Sequence, residues 1–429
     1  MPLPMPTSRE AIAAIQSERK VIAVERARRA PFHKGRLDHI DTTRLDDPAE
    51  WAKIPIMDKE QLRAIPPESY YDHFCIAPRE EVAELWRSGG SSGVPLFYPR
   101  TFEDLRYALL SFARAFDCAG ARAGEWAHIS FPLGIHPVGH AYARAAQQCG
   151  IGVNWAGSGA STPSALQIEL IDRLRPDIWM GMSSYGIHLA NIAEAREVDL
   201  AGGPVRLIMT SAEPISAAKR EKMERMWGAR LQDNFGMTEA GLMGSESEAA
   251  DGFHIWTDMY FIEVVDETSG EPVAEGQPGL LVVTPLWTNN ATPFIRWNSG
   301  DVVVYQQQGA AGGAFSIFPI IRHAHRTVGF FKIRGVSVNH PDLEDFMFRL
   351  PDVADFKAEA LTRDGIDLLL LSIEVGRNDQ GEAVARRIAT EFKNVFELTP
   401  EITILERGTL ATEFESNIKA PRFQERREE

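Results

Sequence analysis

The sequence predicts an α/β fold with a large N-terminal domain over residues 1–327 and a small α+β domain over 328–429. Three observations predict it. Short apolar runs alternate with helical periodicities between 127 and 227, the rhythm of a mixed, largely parallel sheet whose strands are joined through helices. Residues 253–305 then become β-rich, with turn signals at Thr268-Ser269-Gly270 and Gln277-Pro278-Gly279. Beyond 327 the order is strand, helix, strand, helix, strand, which makes a compact unit of ordinary domain size.

The elements follow in order. Ile12, Ile15, Val21, Ile22 and Val24, set among charges, predict an amphipathic helix over 8–29. Prolines then interrupt the pattern, and a short helix signal occupies 54–63. Thr101 with Asp104 forms a capping-box pattern, and Leu105, Leu109, Phe112 and Phe116 repeat at helical spacing behind it. Strands are expected at 127–131, 152–155, 178–181 and 207–210, and helices after His136, over 167–173 and over 216–227. The β-rich portion should hold strands at 253–256, 260–265, 280–285 and 302–305, and the Gly/Gln tract 306–313 reads as a loop. The C-terminal domain should carry helices at 342–349 and 382–396, with strands at 368–375 and 401–405.

Composition narrows the function. The balance of 45 basic and 60 acidic residues gives a net charge of −15, which speaks against a nucleic-acid surface and against anionic membranes. Cys75, Cys118 and Cys149 form no CxxC pair, so neither a disulfide framework nor a cysteine-rich zinc site is expected. No apolar run approaches the ~20 residues of a membrane span, and a cytoplasmic protein is the expectation.

Chemistry concentrates in five segments. Ser88-Gly89-Gly90-Ser91-Ser92-Gly93 can aim several N–H groups and hydroxyls at one anion, because glycine permits close approach. It lacks the Gly-Lys-Ser/Thr of a P-loop. Ser211-Ala212-Glu213-Pro214 ends an expected strand, where open α/β sheets bind ligands. Asp233-Asn234-Phe235-Gly236-Met237-Thr238-Glu239 reads as a polar turn ending in a hydroxyl and a carboxylate. The remaining two are Arg296-Trp297-Asn298-Ser299-Gly300-Asp301 and Asn417-Ile418-Lys419-Ala420-Pro421-Arg422. Taken singly, each has a plainer reading: a loop, a helix start, a β-turn or a solvated lysine.

Taken in order, these segments resemble the adenylate-forming superfamily and, within it, the phenylacetate–CoA ligase-like family. Ile54-Pro55 with Lys59, Asp251 to Trp256, Pro293 to Arg296, and Ile333-Arg334-Gly335-Val336 followed by Leu343-Glu344 extend the likeness over most of the chain. The resemblance implies an acid–CoA ligase. A small aromatic carboxylic acid would attack the α-phosphorus of ATP, and CoA would then displace AMP from the acyl-adenylate. It implies that Ser88, Gly89, Gly90, Ser91, Ser92 and Gly93 cradle phosphates, that Thr238 contacts the α-phosphate and that Glu239 holds Mg²⁺. Asp301 and Arg326 would hold the ribose. Ser211, Ala212, Glu213 and Pro214, with Asp233, Asn234, Phe235, Gly236 and Met237, would frame the adenine side. Lys419, on a mobile C-terminal domain, would bridge phosphate and carboxylate. His136 would lie near the acyl pocket, with Trp155, Tyr185, Ala212 and Gly236 as further pocket residues. A homodimer is also carried as an expectation.

The sequence departs from the family pattern in places. Val94 stands where the family has lysine, Val328-Gly329 where it has paired hinge aspartates, and Ile418 where it has glycine. Ser245 to Glu248 stands where some members have zinc-binding cysteines, so no zinc is expected. Transfer to an amine or carrier protein, or loss of catalysis, remain the alternatives to CoA as acceptor.

Overall fold

The computed structural model describes residues 3–88, 96–248, 252–307, 313–326, 330–363, 365–376, 381–414 and 422–427. The chain divides into two compact units. One comprises residues 1–125, 133–153 and 232–327; the other comprises 126–132, 154–231 and 328–429.

The first unit begins with the helix Arg9–Arg29, whose Ile12, Lys20, Ala23, Val24 and Ala27 fall at helical spacing and are buried. The helix Phe102–Cys118 starts with the expected capping box: Thr101 Oγ1 accepts from the Asp104 N–H, and the Asp104 carboxylate accepts from the Thr101 N–H. Its strands form an antiparallel succession of neighbours. Tyr260–Val265 pairs with Pro278–Pro285, then come Trp297–Gln306, Ile320–Arg326, Phe253–Ile255, Gly241–Glu246 and Arg230–Met237. Beneath them lies a core of Phe235, Met243, Trp256, Tyr260, Leu281 and Val283. Val82–Arg87 and Phe97–Thr101 pair as a separate two-stranded antiparallel sheet.

In the second unit, Trp126–Ile129, Ile178–Gly181 and Leu207–Ser211 are parallel neighbours. Helices Ser164–Leu174, Ser183–Ala195 and Ala217–Trp227 accompany them. Trp179 and Trp227 are fully buried, with ring centroids 5.0 Å apart. The C-terminal part holds the hairpin Phe330–Ile333/Val336–Asn339 and a four-stranded sheet. In that sheet Val353–Arg363 lies antiparallel to Ile366–Val375, with Phe423–Glu425 and Glu401–Leu405 added in parallel at the edges.

Two expectations need correction. The segment Asp233–Glu239 is not a polar turn throughout, because Arg230–Met237 is a strand and only its end turns, into the strand Gly241–Glu246. The strand expected at 302–305 begins earlier, at Trp297. The helix Ser183–Ala195 and the strand Val353–Arg363 were not expected.

Candidate active site

In the first unit, the pairing of Val82–Arg87 with Phe97–Thr101 fixes the base of the Gly/Ser loop. The Ser88 N–H donates to the Leu96 carbonyl at 2.9 Å, and Ser88 Oγ accepts from the Leu96 N–H at 3.0 Å. The Ser88 hydroxyl hydrogen can still donate elsewhere. Gly89, Gly90, Ser91, Ser92 and Gly93 lie outside the described residues.

The alternation of the strand Phe97–Thr101 places Tyr98 and Arg100 on one face, both fully buried. The Tyr98 hydroxyl donates to Glu239 Oε1 at 2.9 Å. Burial, then the Glu239 charge, push the Tyr98 hydroxyl far above its ordinary pKa, so it remains a donor. Lys59 Nζ approaches the same oxygen at 3.6 Å. Arg100 reaches the backbone of the same turn, donating to the Thr238 carbonyl at 2.7 Å and the Glu239 carbonyl at 2.6 Å. Its other nitrogen donates to the Thr288 carbonyl at 3.0 Å and to Thr292 Oγ1 at 3.1 Å. Thr238 is therefore held through its backbone, and Glu239 through both backbone and side chain. Charge-assisted hydrogen bonds of this kind are roughly twice as strong as neutral ones.

Asp301 sits at a bulge. Leu280 opposes Val302 while Val282 opposes Asn298, so Ser299, Gly300 and Asp301 share the space opposite Leu281. Gly300 takes a left-handed φ of 75°, and its N–H donates to Asn298 Oδ1 at 2.8 Å. The Asp301 N–H donates to Ser299 Oγ at 3.1 Å. On the neighbouring strand the residue in register with Asp301 is Arg326, so the pair expected at the ribose is brought together by antiparallel pairing. His136 caps the helix Pro137–Gln148, with Nε2 3.4 Å from an Arg87 nitrogen. Arg87 directly precedes Ser88.

Other expected residues have structural duties. Phe235 packs in the core against Phe253 and His323 instead of standing free. A Cβ on Gly236 would lie 2.5 Å from the Gly241 carbonyl oxygen, so strand pairing explains its missing side chain. Asp233 and Asn234 are buried in the strand, where the Asp233 N–H donates to Glu246.

In the second unit, the turn Ser211-Ala212-Glu213-Pro214 follows the strand Leu207–Ser211. Ala212 adopts φ of 71°, which costs a side-chain-bearing residue roughly 1–2 kcal/mol. The Glu213 carboxylate accepts from the Ser184 N–H at 2.9 Å, Ser184 Oγ at 2.7 Å and Ser183 Oγ at 3.1 Å. It thereby occupies the start of the helix Ser183–Ala195, where a negative charge is favoured. Glu213 is thus an anchor for the turn. Tyr185 has its hydroxyl engaged with Ser164 Oγ at 2.8 Å and Gln167 Nε2 at 2.9 Å. Gln167 also accepts from Ser130 Oγ and lies 3.2 Å from His128 Nε2. Burial lowers the His128 pKa from 6.5 to about 4, so its ring is neutral near pH 7. Trp155 ends its strand with its ring about half exposed. Lys419 lies outside the described residues.

Among the described residues, no group of three or more His, Cys, Asp or Glu side chains could hold a metal ion. Glu239 offers one carboxylate with Oε1 already engaged. That set fits Mg²⁺ only as an ion completed by phosphate oxygens and water, a usual arrangement for this cation. No helix among them is long and apolar enough to cross a membrane. Cys75, Cys118 and Cys149 are not joined in disulfides.

Sequence reasoning missed Tyr98 and Arg100 as partners of the Thr238-Glu239 turn. Their two-residue spacing directly after the Gly/Ser loop was the available signal.

Comparison with known proteins bears on the family and the fold. The family model for AMP-binding enzymes matches residues 20–286, which contain every cluster described above except the C-terminal residues and the Asp301–Arg326 pair. Phenylacetate–coenzyme A ligase of Thermus thermophilus is 28% identical, the alignment covering 93% of this chain and 94% of that protein. The enzyme of the same name from Aromatoleum evansii is 28% identical over 93% and 91%. Among solved structures, 2-hydroxyisobutyryl-CoA ligase in the postadenylation state, bound to an acyl-AMP, aligns with a TM-score of 0.84 at 21% identity over 98% of this chain and 90% of that one. That likeness supports the fold. With more than half of its length matched, the chain belongs to the AMP-binding enzymes, in the phenylacetate–CoA ligase-like family.

Proposed function

We propose that this AMP-forming acid–CoA ligase activates a small aromatic carboxylic acid as its adenylate and transfers the acyl group to CoA. The observation that carries the reading is the Thr238-Glu239 turn, clamped by Tyr98 and Arg100 within the region matched to AMP-binding enzymes. The names of the relatives at 28% identity support an aryl-acetic acid.

In the first step a carboxylate oxygen attacks the α-phosphorus, and the bond from that phosphorus to the pyrophosphate oxygen breaks. Both reactants are anionic, so fixed donors must stand where charge concentrates. Thr238 would donate its hydroxyl to the α-phosphate, its backbone held by Arg100. Ser88 and the following glycines and serines would receive the departing phosphates. Asp301 and Arg326 would fix the ribose, and the turn 211–214 the adenine. Mg²⁺, when bound at Glu239, would offset charge on the phosphates. Lys419 would neutralise carboxylate and α-phosphate together. In the second step the thiol of CoA attacks the acyl carbon, the bond from carbon to phosphate oxygen breaks, and AMP leaves.

The test is the separation of the two steps in Lys419→Ala. Pyrophosphate release should fall about 10²–10³-fold, the cost of losing one preorganised transition-state donor. Thioester formation from supplied acyl-adenylate and CoA should persist. Equal loss of both steps, or of neither, would contradict the assignment.

A further inference from the structure

Lys219 has no place in the chemistry above, yet its amine is almost wholly buried. It lies on the first turn of the helix Ala217–Trp227, which Ile215 and the N-cap Ser216 separate from the turn 211–214. Its Nζ stands 3.8 Å from Glu213 Oε2 and 3.0 Å from Glu344 Oε1. Glu344 lies on the helix His340–Arg349, and the next residue, Asp345, accepts the Ala218 N–H at 3.1 Å. A buried ammonium between two carboxylates is costly unless all three charges are fixed.

The second observation is Ala212, held with φ of 71° immediately before Glu213. Non-glycine residues persist in this region only where their surroundings enforce it, and such residues cluster at ligand sites. Next to it, Glu213 is anchored at the start of the helix Ser183–Ala195 and lies beside Lys219.

We propose that Lys219 is a positioning residue for nucleotide binding. Held by Glu344, it fixes Glu213 and so keeps Ala212 in the left-handed conformation that presents the turn to the adenine nucleotide. The inference rests on the functional reading above, which puts the nucleotide at this turn.

The experiment is AMP binding by calorimetry, with melting temperatures, for Lys219→Met made in the native chain and in Ala212→Gly. Glycine carries no penalty for positive φ. Lys219→Met should raise the Kd for AMP about tenfold in the native chain and threefold or less in the Ala212→Gly background. Glu344→Gln, which keeps a hydrogen-bonding oxygen, should fold normally and raise the Kd by about threefold, again with a smaller effect in the glycine background. An equal rise in both backgrounds, or a lowered melting temperature with unchanged Kd, would overturn the proposal and leave Lys219 a stabilising residue. Absence of AMP binding by the native protein would overturn the functional reading itself.

Discussion

At the scale of single residues, the decisive group is the Glu239 carboxylate, because the hydrogen bond from Tyr98 and the charge of Lys59 converge on one of its oxygens. Tyr98→Phe removes the donor and leaves the ring in place. A hydrogen bond to a charged group contributes about 1.5–3 kcal/mol. The expected outcome is a roughly tenfold slower pyrophosphate release and a raised Mg²⁺ requirement, read from initial rates across a magnesium titration. An unchanged magnesium response would show that Tyr98 merely fills space. The sequence carries Glu239 legibly, as the end of a recognisable segment, but Tyr98 and Arg100 belong to no motif. Their role follows from a hairpin register that brings Phe97–Thr101 beneath the Thr238-Glu239 turn, and register is a tertiary fact.

At the scale of elements, the helix Phe102–Cys118 shows what local sequence can specify. Thr101→Ala should cost about 1 kcal/mol in urea unfolding, the ordinary value of an N-cap. Asp104→Ala should cost more, about 2–3 kcal/mol, because its carboxylate also accepts from the Asn290 N–H at 2.9 Å and the Ala291 N–H at 3.2 Å. Equal costs for the two variants would contradict this account. The capping box was legible because both partners lie within four residues. The strand Arg230–Met237 was not: Leu231 to Phe235 are all buried, so no alternation marks them, and Gln232, Asp233 and Asn234 look like turn residues. The helix Ser183–Ala195 was hidden similarly. His188 and Asn191 are buried along with its apolar residues, which leaves no polar face. Its Gly186 reads as a breaker, but a Cβ there would lie 2.4 Å from Met223 Cε and 3.0 Å from the buried Trp179 ring, so the packing favours glycine.

At the scale of the whole molecule, buried histidines tie stability to pH. Burial lowers both His33 and His128 from 6.5 to about 4. Between these values the unfolded chain binds protons that the folded chain does not, so stability rises with pH across that interval. The stabilisation is present in full above pH ~6.5 and is lost as pH falls toward 4. For each histidine the loss is at most about 3.5 kcal/mol, from 1.4 kcal/mol per pH unit over the interval from 6.5 to about 4. His128→Gln should flatten the fall in melting temperature between pH 6.5 and 4, whatever it does to stability at pH 7. An unaltered slope would mean that His128 is not the group responsible.

The central claim is the activity, and its most direct test is pyrophosphate release from ATP and Mg²⁺ with a panel of aryl-acetic, benzoic and short aliphatic acids, with and without CoA. Products are to be identified by mass spectrometry. The account predicts multiple turnover only when an aromatic acid and CoA are both present, with the mass of the aryl-CoA thioester. A single-turnover burst indifferent to CoA, or turnover confined to aliphatic acids, would contradict it.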